Sequence, residues 1–183
     1  MKAVSVFLGG MVALAIGEVL GEDKVEVRKF KVNDLEFTQP AKWQVTKPTS
    51  RMRQAQFRVV AGKGKEHAEC VFFYFGPGGA GGVEANFTRW LKQFSPMPGP
   101  KDFQRGAIAL GPDKVKLHVL KANGTYLDGP PFGAKIPKRD YRMYGAIIMA
   151  PRGAIFVKMT GPKAVVIQAE GDCLKMIQSA FMK

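Results

Sequence analysis

The 183-residue sequence predicts one α+β domain, a mostly antiparallel sheet with helices packed on it. Three observations predict it. Alternating or continuously apolar runs of strand length recur between Gly, Pro and Asn-Gly turn signals. Only two stretches carry apolar residues at helical spacing. No internal repeat and no low-complexity linker divides the chain.

The elements follow in chain order. Met1-Lys2 is a minimal positive start, residues 3–15 are mostly apolar, and small residues then recur at signal-peptidase spacing, so residues 1–21 are expected to be a secretory signal peptide and residues 22–183 the exported domain. Cleavage before Glu18 and cleavage before Glu22 both fit, with the polar Glu22-Asp23-Lys24 favouring the second. A bilayer span needs about 20 apolar residues; this run is shorter and no later one approaches it, so no transmembrane segment is expected. Residues 25–40 alternate apolar and charged side chains as one or two edge strands. An aromatic-bearing loop with Trp43 leads to a strand ending at Gly62. After a charged turn, the continuous hydrophobicity of ECVFFYFG (residues 69–76) predicts a strand covered on both faces.

A glycine-rich turn then opens a helix in which Ala85, Phe87, Trp90, Leu91 and Phe94 form the apolar stripe and Glu84, Asn86, Arg89, Lys92 and Gln93 the wet side. Three prolines in SPMPGPKD stop it. A short strand precedes GPDK, and KVKLHVLKANGTYL is a strand or hairpin with its turn signal at Asn123-Gly124. The stretch DGPPFGAKIPKRD reads as a basic, proline-rich loop, and two strand-like runs flank PRG (residues 151–153) as in a hairpin. Beyond Pro162 the chain turns helical, with Val165, Val166, Ala169, Leu174, Ile177, Ala180 and Phe181 towards the core and Gly171 a point of bending or division.

Lys and Arg outnumber Asp and Glu by 28 to 15, a formal charge of +13 that removal of residues 1–21 would not change, because Lys2 and Glu18 cancel. Such a surplus suits nucleic acid, anionic lipid headgroups, acidic polymers or an acidic protein, and it equally suits a basic solvated surface. No specific nucleic-acid motif accompanies it.

The chemistry-bearing residues exclude more than they propose. Gly76, Gly78 and Gly81 spell GxGxxG between a strand and a helix, the context of a dinucleotide fingerprint. Pro77 lies inside the motif, Glu84 would repel phosphate at the helix start, and no strand ending in an acid follows at the needed distance. The glycines therefore read as a tight corner, and no cofactor is expected. His67 and Glu69 lack the downstream Pro-Cys-x-x-Cys that would complete a deaminase zinc site, so no metal is expected, and His118 reads as a strand residue. Cys70 and Cys173 could pair in an oxidising compartment if the fold brings them together; two buried thiols are the simpler reading. Neither Ser95 nor Ser179 has a nucleophile-elbow setting, and the acids are scattered. No catalytic residue is assigned.

The segment FFYFGPGGAGGVEANFTRWLKQF, with Trp43, GTYLDGPP, YRMYGAII, IFVKMTGPKAVV and the terminal MIQSAF, resembles a group of exported bacterial proteins of unassigned function. Their fold is similar to that of PsbP, the extrinsic protein of photosystem II, and of the related Ran-binding nuclear import factor. The resemblance covers nearly all of the chain after residue 21 and implies an α/β/α sandwich and a role in binding proteins without catalysis. The expectation is thus an exported, periplasmic or extracellular binding or scaffold protein with a protein partner, or alternatively one that binds an acidic polymer or an anionic membrane surface. Two candidate sites go with it. The glycine corner and helix start, Gly78, Gly79, Gly81, Gly82 and Asn86 with Arg89 and Trp90, would take an anion or a partner. The basic group Lys135, Lys138, Arg139 and Arg142 would take a polyanion through charge that salt screens.

Overall fold

A computed structural model describes residues 27–60, 66–130 and 133–182. The expected signal peptide lies outside the described residues. The elements in order are β1 (Lys29–Val32), β2 (Leu35–Thr38), β3 (Gln44–Val45), β4 (Arg53–Val60), β5 (His67–Tyr74), α1 (Val83–Leu91), β6 (Phe103–Leu110), β7 (Val115–Asp128), β8 (Ile136–Ile148), β9 (Ile155–Pro162) and α2 (Lys163–Ser179). The first two strands form a separate hairpin, and the other seven form one antiparallel sheet in the order β3-β4-β5-β9-β8-β7-β6. From β5 the chain crosses through α1 to the far edge and returns strand by strand until β9 closes on β5.

One helix covers each face, as an α/β/α sandwich requires. Strand alternation sorts the side chains between them. On β9, Ile155, Val157 and Met159 join the larger core with Val165, Val166, Ala169, Cys173, Met176 and Ile177 of α2, while Phe156 joins the smaller core with Phe87 and Trp90 of α1 and Phe94 just beyond it. The β1–β2 hairpin extends the α2 layer. Phe30 lies 5.4, 5.0 and 5.1 Å from the rings of Phe37, Phe57 and Phe72, and the Thr38 amide donates to Ser179 Oγ at 2.8 Å. The hairpin turns at Asn33, whose φ of 54° suits the local hydrogen-bonding ability of Asn.

Several boundaries differ from the sequence reading. Asn123-Gly124 is not a turn: β7 runs on through it, and the irregularity is a bulge in which Thr125 faces both Arg139 and Asp140, between the pairs Gly124↔Tyr141 and Tyr126↔Lys138. Asp140 takes φ 53°, the left-handed conformation of a bulge residue. The second half of the supposed basic loop is therefore strand, because Leu127 and Asp128 pair with Pro137 and Ile136. Gly171 does not divide α2, which is continuous over 17 residues. The strand over residues 69–74 and the hairpin around PRG form where the pattern places them, as β5 and as β8–β9.

Cys70 and Cys173 come together in the larger core as free, fully buried thiols. Burial pushes the Cys70 thiol well above its ordinary range, and the adjoining Cys173 pushes it further in the same direction.

Candidate functional site

The glycine corner is a braced turn. Gly76, Gly78, Ala80 and Gly81 all have φ between 66° and 85°, and the Gly79 amide donates to the Gly76 carbonyl at 3.1 Å. A side chain at Gly79 would strike the Phe75 carbonyl, so this position needs glycine for space as well. Asn86, expected on the wet side, is buried at 3 % exposure. Its amide donates to the carbonyls of Ala80, Gly81 and Gly82 at 2.9, 3.3 and 2.9 Å, and its oxygen accepts from Arg89 at 2.9 Å. Trp90 lies against Gly145 of β8, occupying the space a β-carbon there would need. Glu84 stays in the first turn and pairs with Arg105 of β6 at 2.7 Å. Gly78, Gly81 and Gly82 are exposed, whereas Asn86 and Trp90 are engaged inside the fold.

The members of the basic group are engaged differently. Lys135 turns back onto the carbonyls of Gly129 and Pro130. Lys138 is half-buried and Arg139 exposed. Arg142 donates to Glu170 of α2 at 2.5 Å and to Asn123 at 2.7 Å, and Lys121 reaches the other Glu170 oxygen at 2.6 Å. Arg142 thus helps to fasten α2 to the sheet, and its expected place in an open basic loop is corrected by β8 and by this partner.

Two features escaped the sequence reading. The first is a polar cluster on the α1 face of the sheet, beyond the reach of that short helix. Lys158 of β9 donates to Gln93 Oε1 at 3.1 Å and to the Tyr126 hydroxyl at 3.2 Å, and that hydroxyl donates to the same Gln93 oxygen at 3.2 Å. The Tyr126 and Tyr141 rings stack at 6.2 Å and 9°. Alongside, Arg53 of β4 donates to Glu69 of β5 at 3.2 Å and to Gln56 at 3.0 Å, with its guanidinium 5.7 Å from the centre of the Phe73 ring. Burial, and next the charge of Arg53, bring the Lys158 ammonium down to about 8. Burial, and next Asp128, push Tyr126 up to about 12. A signal was present: Lys158 is the one charge in the apolar run IFVKM, and alternation puts it on the face of Phe156.

The second feature is the sheet edge. Strand β6 pairs with β7 on one side and, among the described residues, with nothing on the other. Its residues 104–109 are all exposed, and it contains no proline and one charge, so the usual protections of an edge strand are sparse. Beside it lies a groove of about 310 Å³ lined by Gly106, Ile108, Val119, Lys121, Tyr144 and Leu174. Gly106 leaves it open, since a β-carbon there would meet nothing within 4 Å.

No family model and no curated protein matches the chain. Among solved structures, cyanobacterial PsbP (CyanoP) from Synechocystis sp. PCC 6803 superposes with a TM-score of 0.50 at 14 % identity, over 90 % of this chain and 96 % of that one. The fold is PsbP-like. At that identity the likeness shows architecture alone. PA94, a protein of unknown function from Pseudomonas aeruginosa, overlaps at a TM-score of 0.43 and 13 % identity, over 86 % of this chain and 97 % of that one, too loosely to carry an argument. Neither match bears on the nuclear import factor or on export. Among the described residues no helix is long and apolar enough to cross a membrane.

Proposed function

We propose that the protein is an exported, non-enzymatic binding protein that takes an extended segment of a partner protein onto β6. The observation that carries the reading is the open edge with its groove: unpaired backbone groups can hydrogen-bond an added strand while every second side chain of that strand enters the groove. The large positive charge favours an acidic partner. Export rests on the sequence of residues 1–21 alone.

Gly106→Glu tests this reading, because the new side chain points into open space, its charge repels an acidic partner, and the fold has no cause to change. In pull-downs from extracts of the native source, the wild type is expected to hold one discrete protein at high salt and the variant to lose it about tenfold or more, the effect of placing a charge in an apolar contact. Equal capture by both proteins overturns the assignment to β6. Capture of broad acidic material that washes off with salt favours the second reading, a polyanion-binding protein, for which the +13 charge is the supporting observation.

A further inference from the structure

The polar cluster on the α1 face has a cation without a counter-charge. Lys158 is half-buried and, among the described residues, no carboxylate lies within ion-pairing distance of it. Glu69 faces the same strip of sheet but is held by Arg53 and Gln56. An ammonium has three N–H groups; among the described residues Gln93 and Tyr126 accept two, which leaves one unassigned. A half-buried ammonium without a counter-charge is unfavourable even when hydrogen-bonded, so the arrangement gains from any anion that can reach it.

We propose that Lys158 anchors a binding site for a small organic monocarboxylate. The charge count sets the class: Lys158 and Arg53 against Glu69 leave one positive charge, which a monocarboxylate neutralises and a dianion exceeds. The neighbouring surface sets the remainder of the ligand, because the Tyr126–Tyr141 stack offers ring surface beside the ammonium, which lies 5.7 Å from the centre of the Tyr126 ring. Gln93 and the Tyr126 hydroxyl fix the ammonium in place, and the ligand carboxylate accepts its third proton.

The titration of the site is governed by the groups that face it. These are Arg53 from β4, Glu69 from β5, Tyr126 and Asp128 from β7, Lys135 before β8 and Tyr141 from β8, with the neutral Gln93 after α1. The ligand binds the protonated amine, so binding raises the midpoint of Lys158. Affinity is constant between the ligand carboxyl's own titration, at about 4–5, and the Lys158 midpoint; it falls about tenfold per pH unit below the first, as the ligand loses its charge, and above the second, as the free amine loses its proton.

The test uses the purified protein with acetate, phenylacetate and inorganic phosphate at constant ionic strength, followed by calorimetry and by the lysine ε-carbon resonances. Saturable acetate binding, tighter phenylacetate binding, weaker phosphate binding and an upward move of the Lys158 midpoint are expected. Lys158→Gln should lose about tenfold or more of the affinity, the scale of one hydrogen bond to a charged group. Binding that is independent of pH, tighter binding of phosphate, unchanged binding by Lys158→Gln, or no binding of any of the three overturns the proposal. The resonance titration needs the wild type only, so it decides the question even if the variant does not fold.

Discussion

The two faces of the sheet are built from the same strands and put to different ends. The α2 face is apolar almost throughout: a 17-residue helix and the β1–β2 hairpin cover it, and its rings and aliphatic chains form the larger core. The α1 face is covered by a helix of 9 residues, whose aromatic side chains seal one region and leave a polar strip from Arg53 to Lys158. Burial of apolar surface is the dominant favourable term in folding, so the α2 face carries most of the stability. The α1 face can therefore hold an unpaired lysine at a cost the other face offsets.

The largest expected effect breaks the stronger side. Phe72→Ala removes a ring with no exposure from the stack with Phe30, Phe37 and Phe57, and should lower unfolding free energy by about 3–5 kcal/mol in urea titrations. The titration of Lys158 should stay where it was if the two faces are as separate as the cores indicate. A smaller effect belongs to the α1 face. Gly145→Ala puts a methyl group into the Trp90 ring and should cost about 1–3 kcal/mol in the same urea titrations.

The smallest effect is a slope with pH. The folded chain releases the Lys158 proton at about 8, below the ordinary value of 10.5, so in that window the unfolded chain binds more protons and stability rises with pH. Above 10 the sign reverses, because Tyr126 keeps its proton to about 12 in the folded state and buried Tyr144 is raised as well. Urea midpoints should thus climb from about pH 8, level off near 9, where the unfolded chain starts to lose the Cys70 proton that the folded chain keeps, and fall above 10. Lys158→Met should remove the climb and keep the fall; a climb that survives assigns it to another group.

What was legible in the sequence follows the same division. Runs with their own period or turn, such as residues 69–74, the PRG hairpin and the Phe87, Trp90 and Phe94 stripe, specify local structure and formed as read. Residues whose role depends on a remote partner did not reveal it. Arg142 looked like one more loop cation because Glu170 is 28 positions away, and Gln93 looked solvated because Lys158 is 65 positions away. Asn86 was misplaced for another reason: its partners are backbone carbonyls of the corner, which carry no side-chain signal. The candidate site on the sheet was accordingly the least readable part, although the lone lysine of β9 marked it.

The bond between Thr38 and Ser179 joins residues 141 positions apart. Two strands alone are marginal in water, and among the described residues β1 and β2 hydrogen-bond as a sheet only to each other. Their shelter is the aromatic floor of β4 and β5 and the end of α2. For a chain emerging N-terminus first, the β1–β2 hairpin waits half-clothed until α2 arrives. Closing the hairpin onto α2 is then a late step, and contacts of such long sequence separation make it slow compared with the local steps before it.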